Sequence, residues 1–385
     1  MYLTGNSLGL KPHGVREILL EKLEDWAQLG VEGHMKARKP WVDYHLRMQP
    51  LLAQLVGAHV DEVVAMNTLT LNLHLMMVSF YRPEGRRTKI LIEKGAFPSD
   101  TYAVMSHLRT RGLDPAEHLV QVAPRDGERT LRMDDVAARI RELGDTLALV
   151  LLPGVHYATG QVFDIARITR EAHAAGARCG WDLAHSIGNA PLQLHDWGPD
   201  FACWCSYKYL NGGAGAVAGC FVHRRHADDH SIPRYLGWWG NAPGNRFEMR
   251  DDFTPTHGAD GWQLSNPPIL SMAPLLVSIP IFIEAGLDAL RQKSLALSGY
   301  MMWLLAERAT PGATVVTPSS TSERASQVSI AFARNAHAIH RALLHDGYIV
   351  DFREPDIIRA ASAPLYGSFE DVWRFVDRLD GLARR

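Results

Sequence analysis

The sequence lacks any surplus of charge or apolarity that would tie it to nucleic acid or a bilayer. Its 385 residues set 40 Lys and Arg against 42 Asp and Glu, a net charge of −2. No basic excess is available to hold nucleic acid or an anionic membrane, and neither is expected as a partner. No apolar run approaches the roughly 20 residues that a membrane span needs. Met1–Leu10 has no charged start followed by an apolar stretch, so no secretory signal is expected. Cysteine is scarce, with only Cys179, Cys203, Cys205 and Cys220. All four sit in or beside short apolar runs, as small buried hydrophobes do. Cys203 and Cys205 have no second pair at zinc-type spacing, and the 18 histidines include no His-Glu-x-x-His. No metal is therefore expected, and a reducing cytoplasmic location is. Internal repeats and low-complexity linkers are also absent.

What the chain does have is a large apolar fraction, 46%, enough to bury an extensive core in two domains. Val15, Ile18, Leu19, Leu23 and Trp26 recur at three- and four-residue steps, which predicts a helix over His13–Leu29 that stops at Gly30. Short β-rich runs follow at Lys89–Glu93, Leu147–Leu152, Arg178–Asp182, Phe201–Ser206 and Ala216–His223. Helical patterns lie between them, at Met133–Leu143 and at Asp164–Ala175 with Asp164 as N-cap. Apolar strands alternating with helices predict an α/β fold whose mostly parallel sheet is sandwiched by helices. Beyond Asn266 the texture changes. One helical stretch over Pro274–Glu307 leads to strands near Thr314–Thr317, Gln327–Ala333 and Tyr348–Phe352, and to helices at Ala336–His345 and Ser368–Leu382. This gives an arm and helix over residues 1–50 that packs with the small domain, a large domain over 51–266, and a small α+β domain over 267–385.

Three chemical signals fall in the large domain. Lys208 follows the apolar strand Phe201–Ser206 and precedes a glycine-rich turn, Gly212-Gly213-Ala214-Gly215. A lysine in an apolar site can lose its charge and attack an aldehyde, and glycines beside it let backbone approach a bulky group. A surface lysine is the alternative. Asp182 ends the strand that starts at Arg178, at the edge where open α/β sheets bind ligands. It suits a protonated pyridine nitrogen there, or else it caps the next turn. Asn67-Thr68-Leu69-Thr70 opens an apolar helix, and hydroxyls with free N–H groups at a helix start suit a phosphate, or serve as an ordinary cap. In this chain order, the three together specify pyridoxal 5′-phosphate chemistry better than any one alone.

Those residues resemble the kynureninase family. The likeness runs from Leu3-Thr-Gly-Asn-Ser-Leu-Gly-Leu10 to Pro364–Phe369. It is most specific at Phe97-Pro-Ser-Asp100, Asp182-Leu-Ala-His185, Phe201–Asn211 and Ser265-Asn-Pro-Pro268. The resemblance implies the aspartate-aminotransferase type of fold, a homodimer with active sites at the subunit interface, and pyridoxal 5′-phosphate as cofactor. It implies hydrolytic cleavage of L-kynurenine, or its 3-hydroxy form, to an anthranilate and L-alanine in tryptophan catabolism, a route that leads toward NAD biosynthesis. By the same likeness Lys208 carries the cofactor as a Schiff base and moves the α-proton. Asp182 pairs with the pyridine nitrogen, and His185 lies near the polar edge of the ring. Phe97 stacks on the ring, with Ser99 and Asp100 also in contact with the cofactor. Leu69, Thr70 and Tyr207 hold the phosphate, and Tyr207 also serves as a proton donor. Trp238 and Asn266 reach the cofactor from the other subunit. Arg359 grips the substrate carboxylate, and His34 and Asn266 face its aromatic ring. Two departures stand out. Relatives have an N-terminal extension of a few tens of residues ahead of the Gly5–Gly9 block. Pro153 stands at a cofactor position where some relatives use serine, and a proline has no N–H to donate. The competing readings are a cysteine desulfurase or aminotransferase on the same scaffold, and a catalytically silent cofactor-binding protein. The strand-like setting of the cysteines counts against a desulfurase, which needs a reactive thiol on a mobile loop.

Overall fold

The computed structural model describes residues 1–385. Seven strands form the main sheet: β1 (Val63–Ala65), β2 (Lys89–Glu93), β3 (Leu119–Val122), β4 (Leu147–Pro153), β5 (Arg178–Asp182), β6 (Phe201–Trp204) and β7 (Gly219–Val222). Their spatial order is β1-β7-β6-β5-β4-β2-β3. The run from β3 through β2, β4 and β5 to β6 is parallel, while β7 lies antiparallel between β6 and β1. A second sheet, of four antiparallel strands, comprises β8 (Ala313–Val315), β9 (Gln327–Phe332), β10 (Asp351–Arg353) and β11 (Ile357–Ala361) in the order β10-β11-β9-β8. The α/β class and the parallel centre match the sequence pattern. The strands flanking the Lys208 turn are shorter than the apolar runs suggested, because Cys205–Ala218 is given over to the turn and its approaches.

Side chains on successive residues of a strand point to opposite faces, and the core divides accordingly. Leu91, Val150, Leu152, Trp181, Ala202 and Trp204 enter one apolar cluster, with helices Gln49–Val56, Met133–Leu143, Ile165–Ala174 and Leu275–Ala285. Ile90, Ile92, Leu149, Leu151, Phe201 and Cys203 enter another, with helices Leu69–Phe80 and Pro98–Thr110. The sheet is thus buried on both faces, as parallel sheets require. Helix Val15–Leu29 sends Ile18 into the first cluster beside Met272, Leu275 and Ile279. A third cluster backs the second sheet and joins Leu297, Met301, Val328, Ile358, Phe375 and Leu379 with Leu3 of the N-terminal arm. The expected single helix over Pro274–Glu307 is broken at Gly286, whose φ of +80° a glycine tolerates and other residues resist.

Parallel strands packed this closely leave no spare volume. Gly180 of β5 lies opposite Phe201 of β6, and a Cβ added there would sit 2.0 Å from the Phe201 Cζ. Gly180→Ala is expected to cost about 1–3 kcal/mol or more through overpacking, read as a lower urea midpoint with unchanged m-value.

Candidate active site

The parallel strands deliver their last residues to one edge of the sheet. Glu93 ends β2, Pro153 ends β4, Asp182 ends β5 and Lys208 follows β6. Helix Leu69–Phe80 begins at the same edge, and together these elements line a cleft of about 180 Å³. Nine residues marked in the sequence as catalytic or cofactor-binding meet there: Leu69, Thr70, Phe97, Ser99, Asp100, Pro153, Asp182, His185 and Lys208. Tyr207, marked for the phosphate and as proton donor, lines it too.

The Lys208 turn is held from three sides. The Gly212 N–H donates to the Ser206 carbonyl at 2.9 Å and the Asn211 N–H to the Lys208 carbonyl at 3.0 Å. The N-terminal arm closes the third side, where the Gly9 N–H donates to the Tyr207 carbonyl at 2.8 Å. A Cβ on Gly9 would lie 2.3 Å from the Lys208 carbonyl oxygen, so only glycine lets the arm come this near. The Lys208 Nζ stands 3.0 Å from the His185 Nε2 and 5.8 Å from the centre of the Phe97 ring. Phe97 lines the cleft and is 41% exposed.

Three carboxyls share this low-dielectric edge. Burial raises Asp182, which is opposed by the Lys208 charge and by the Ala184 N–H donating to its Oδ1 at 2.7 Å. Burial raises Asp100 far above the usual carboxylate range, with Asp182 adding to the rise. Glu93 is pushed up to about 8, again by burial first and by Asp182 in addition. Burial and the neighbouring Asp182 thus favour the neutral forms of Asp100 and Glu93, while Lys208 and the Ala184 amide favour the charged form of Asp182. His185 is moved the other way. Burial, then the Lys208 and Arg359 charges, lower its pKa well below the ordinary histidine value and keep the ring neutral. Burial also raises the Tyr207 phenol, so it stays protonated.

These groups suit a flat phosphorylated heterocycle. Thr68 caps helix Leu69–Phe80 in an extended conformation with no side-chain hydrogen bond, so the first N–H groups of the helix face the cleft without a protein acceptor. The buried His185 Nδ1 likewise has no partner. A part-exposed aromatic ring, helix-start donors without a side-chain acceptor and a buried carboxylate are the three contacts that such a ring, its phosphate and its pyridine nitrogen require.

The structure keeps four of the marked residues out of this cleft. His34, Trp238 and Asn266 line a separate apolar hollow of about 620 Å³ with Val31, Trp239 and Met249. Asn266 also borders a groove that reaches Thr68. Arg359 lies behind the cleft on β11, 1% exposed, and its Nη1 donates to the carbonyl of the cleft residue Tyr157 at 2.6 Å. The sequence reading missed Glu93 and Tyr157. Glu93 ends a parallel strand just as Asp182 does, so the same rule could have found it. Tyr157 sits in a loop with no local signature.

Comparison with known proteins adds the following. A family model described as the kynureninase C-terminal domain matches residues 290–379. The kynureninase of Myxococcus xanthus (strain DK1622) is 53% identical over 384 residues, which is 100% of this chain and 90% of that protein. The kynureninase of Koribacter versatilis (strain Ellin345) is 50% identical over 378 residues, 98% of this chain and 89% of that protein. Among solved structures, the cystine C–S lyase C-DES in complex with its product cysteine persulfide superimposes with a TM-score of 0.83 at 19% identity, covering 98% of this chain and 97% of that one. An apo cysteine desulfurase from Thermococcus onnurineus NA1 reaches 0.82 at 18% identity, covering 100% and 94%. Likeness at that identity establishes a shared fold.

The neutral His185 carries a pH signature. Its pKa in the folded chain lies below the unfolded value of about 6.5, so between the two the unfolded chain binds more protons. Stability is then lost as pH falls from about 6.5, by up to about 1.4 kcal/mol per pH unit from this group. Urea unfolding of the cofactor-free chain at stepped pH should show a shallower acid slope in His185→Gln than in the parent. Equal slopes would mean that His185 is not buried neutral.

Proposed function

The chain belongs to the kynureninase family, and from that premise we propose that it uses pyridoxal 5′-phosphate to hydrolyse L-kynurenine, its 3-hydroxy form, or both. The products are anthranilate or 3-hydroxyanthranilate and L-alanine. The observation that carries this reading is the single cleft in which Lys208 and Asp182 close adjacent strand ends above an uncapped helix start. The cysteines argue against a desulfurase, since all four are buried and unpaired and none lies on an exposed loop. No single helix is long and apolar enough to cross a membrane, and unpaired thiols suit a reducing cytoplasm.

Bound in this cleft, pyridoxal phosphate supplies an electron sink that lets bonds at the substrate Cα and Cβ break. The side chains do the rest. Lys208 would hold the cofactor, and its amine is the group placed to take the α-proton of the substrate. Asp182, whose charge Lys208 and the Ala184 amide favour, would keep the ring nitrogen protonated. Phe97 supports the ring face, with Ser99 and Asp100 beside it and Pro153 on the neighbouring strand end. The Leu69 and Thr70 N–H groups and the Tyr207 hydroxyl would hold the phosphate. Tyr207, kept protonated by burial, can return a proton to the substrate. Arg359 binds the α-carboxylate. One water adds at the γ-carbonyl, the Cβ–Cγ bond breaks, the aryl part leaves as a carboxylate, and the amino part gains a proton at Cβ and regains one at Cα to become alanine.

The reading includes a homodimer. His34, Trp238 and Asn266 surround an apolar hollow away from Lys208 in their own chain, and Val31, Met35 and Met249 around it are more than 60% exposed. Apolar exposure on this scale suits a subunit interface, where these residues would complete the partner's cleft and face the substrate ring. In the kynurenine pathway, the 3-hydroxy product would lead toward NAD biosynthesis.

Anthranilate fluorescence tests the activity directly. The purified protein should turn over kynurenine and 3-hydroxykynurenine and release no sulfide from cysteine. Lys208→Ala should lose the cofactor's visible absorbance and nearly all turnover, and normal turnover in that variant would refute the assignment. Shared sites make a second expectation. Lys208→Ala and Asn266→Ala, inactive or weak alone, should regain about one quarter of parental activity when subunits are exchanged, because half the dimers then carry one intact site.

A further inference from the structure

Arg359 is not alone in its pocket. It stands on β11 directly opposite Asp351 on β10, and the two side chains form an ion pair in which Arg359 is 1% and Asp351 12% exposed. The other oxygen of Asp351 takes Arg353, from Nη1 at 2.9 Å. The Ser7 hydroxyl donates to Asp351, and the Arg359 Nη2 lies 3.3 Å from the Ser7 oxygen. With its Nη1 already on the Tyr157 carbonyl, Arg359 keeps a buried Nε with no partner.

This arrangement answers a physical question that a buried arginine raises. A guanidinium out of water needs a counter-charge, yet a full counter-charge would leave nothing to attract a substrate carboxylate. Asp351 sits between two arginines, so the trio keeps one net positive charge. The Asp351 backbone is fixed by strand pairing and its second oxygen by Arg353, so it cannot swing aside as a mobile competitor would. Burial alone would raise this carboxyl, but Arg359, Ser7 and Arg353 hold it below its ordinary value, and it stays ionised wherever the enzyme is assayed.

We propose that Asp351 is a positioning residue of the substrate-carboxylate site: bridged between Arg353 and Arg359, it fixes the plane of the Arg359 guanidinium while leaving one positive charge for the α-carboxylate. The inference rests on the reading of Arg359 as the carboxylate-binding arginine. Two planar groups meet well only at a fixed angle, and a misplaced arginine weakens binding of the substrate while sparing the chemistry at Lys208.

The test is a KM-against-kcat split in the cofactor-loaded enzyme with L-kynurenine. Asp351→Asn should raise KM roughly tenfold to a hundredfold with kcat within about threefold of the parent and cofactor absorbance unchanged. Asp351→Glu, which restores the charge, should recover part of the loss, and it stands in for the asparagine variant if that one fails to fold. An unchanged or lowered KM overturns the proposal, as does a fall in kcat without a rise in KM. Arg359→Gln is measured in parallel. If it raises KM and the Asp351 variants do not, the positioning role alone is wrong. If Arg359→Gln itself leaves KM unaltered, the carboxylate site lies elsewhere and both readings fall.

Discussion

A carboxylate buried at the end of β5, with a half-buried lysine just beyond the end of the neighbouring β6, sets the terms for everything around it. A charge on Asp182 cannot stand alone in the apolar interior between the two core layers. Asp182 is held by Lys208 and by the Ala184 amide, and this choice dictates the protonation of its neighbours. Burial first, and the Asp182 charge in addition, raise Asp100 and Glu93. Burial first, and the Lys208 charge in addition, lower His185. The cleft thus sets a carboxyl steadied by a nearby ammonium and a backbone amide among buried hydrogen-bonding groups whose own ionisation burial disfavours.

How much of this could be read from residue order varies by element. The parallel centre was legible because Leu147–Leu152 and Arg178–Asp182 are short, apolar and separated by amphipathic helices. The Lys208 turn was legible because its glycines are packed into Gly212–Gly215. The kynureninase likeness was legible in the long Phe201–Asn211 block, and relatives at 53% and 50% identity bear it out. Element edges were less so, since the lengths of β6 and β7 depend on where the turn must begin. The break at Gly286 depends on how two helices meet the core. Tyr157 and Asp351 left no trace in the sequence pattern, because each matters only through a partner distant in the chain. Arg359 is more than 200 residues from Tyr157, and its contact with Asp351 exists only once β10 and β11 are paired in register.

The loop from Gly154 to Phe163 shows how the two sheets are made to act together. On one side the Gly154 N–H donates to the Asp182 carbonyl at 2.8 Å. On the other, the Tyr157 carbonyl accepts from Arg359 and from Gln327 at 3.0 Å, and the Ala158 carbonyl from Ser329 at 2.7 Å. The acid at the end of β5 and the arginine on β11 are therefore linked through a few backbone groups. The N-terminal arm repeats the connection, with Gly9 against the Lys208 turn, Ser7 against Asp351 and Leu3 in the core of the second sheet.

The helix start at Thr68 has a consequence beyond catalysis. Backbone donors left without acceptors, together with the unpartnered His185 Nδ1, give this edge something to gain from a bound anion. A ligand that satisfies these groups in the native chain and finds nothing comparable in the unfolded one shifts the equilibrium by mass action, by about 2.7 kcal/mol at a hundredfold excess over its dissociation constant. The amount of folded enzyme that a cell maintains, and its resistance to proteolysis, would then rise and fall with the supply of the small molecule it binds.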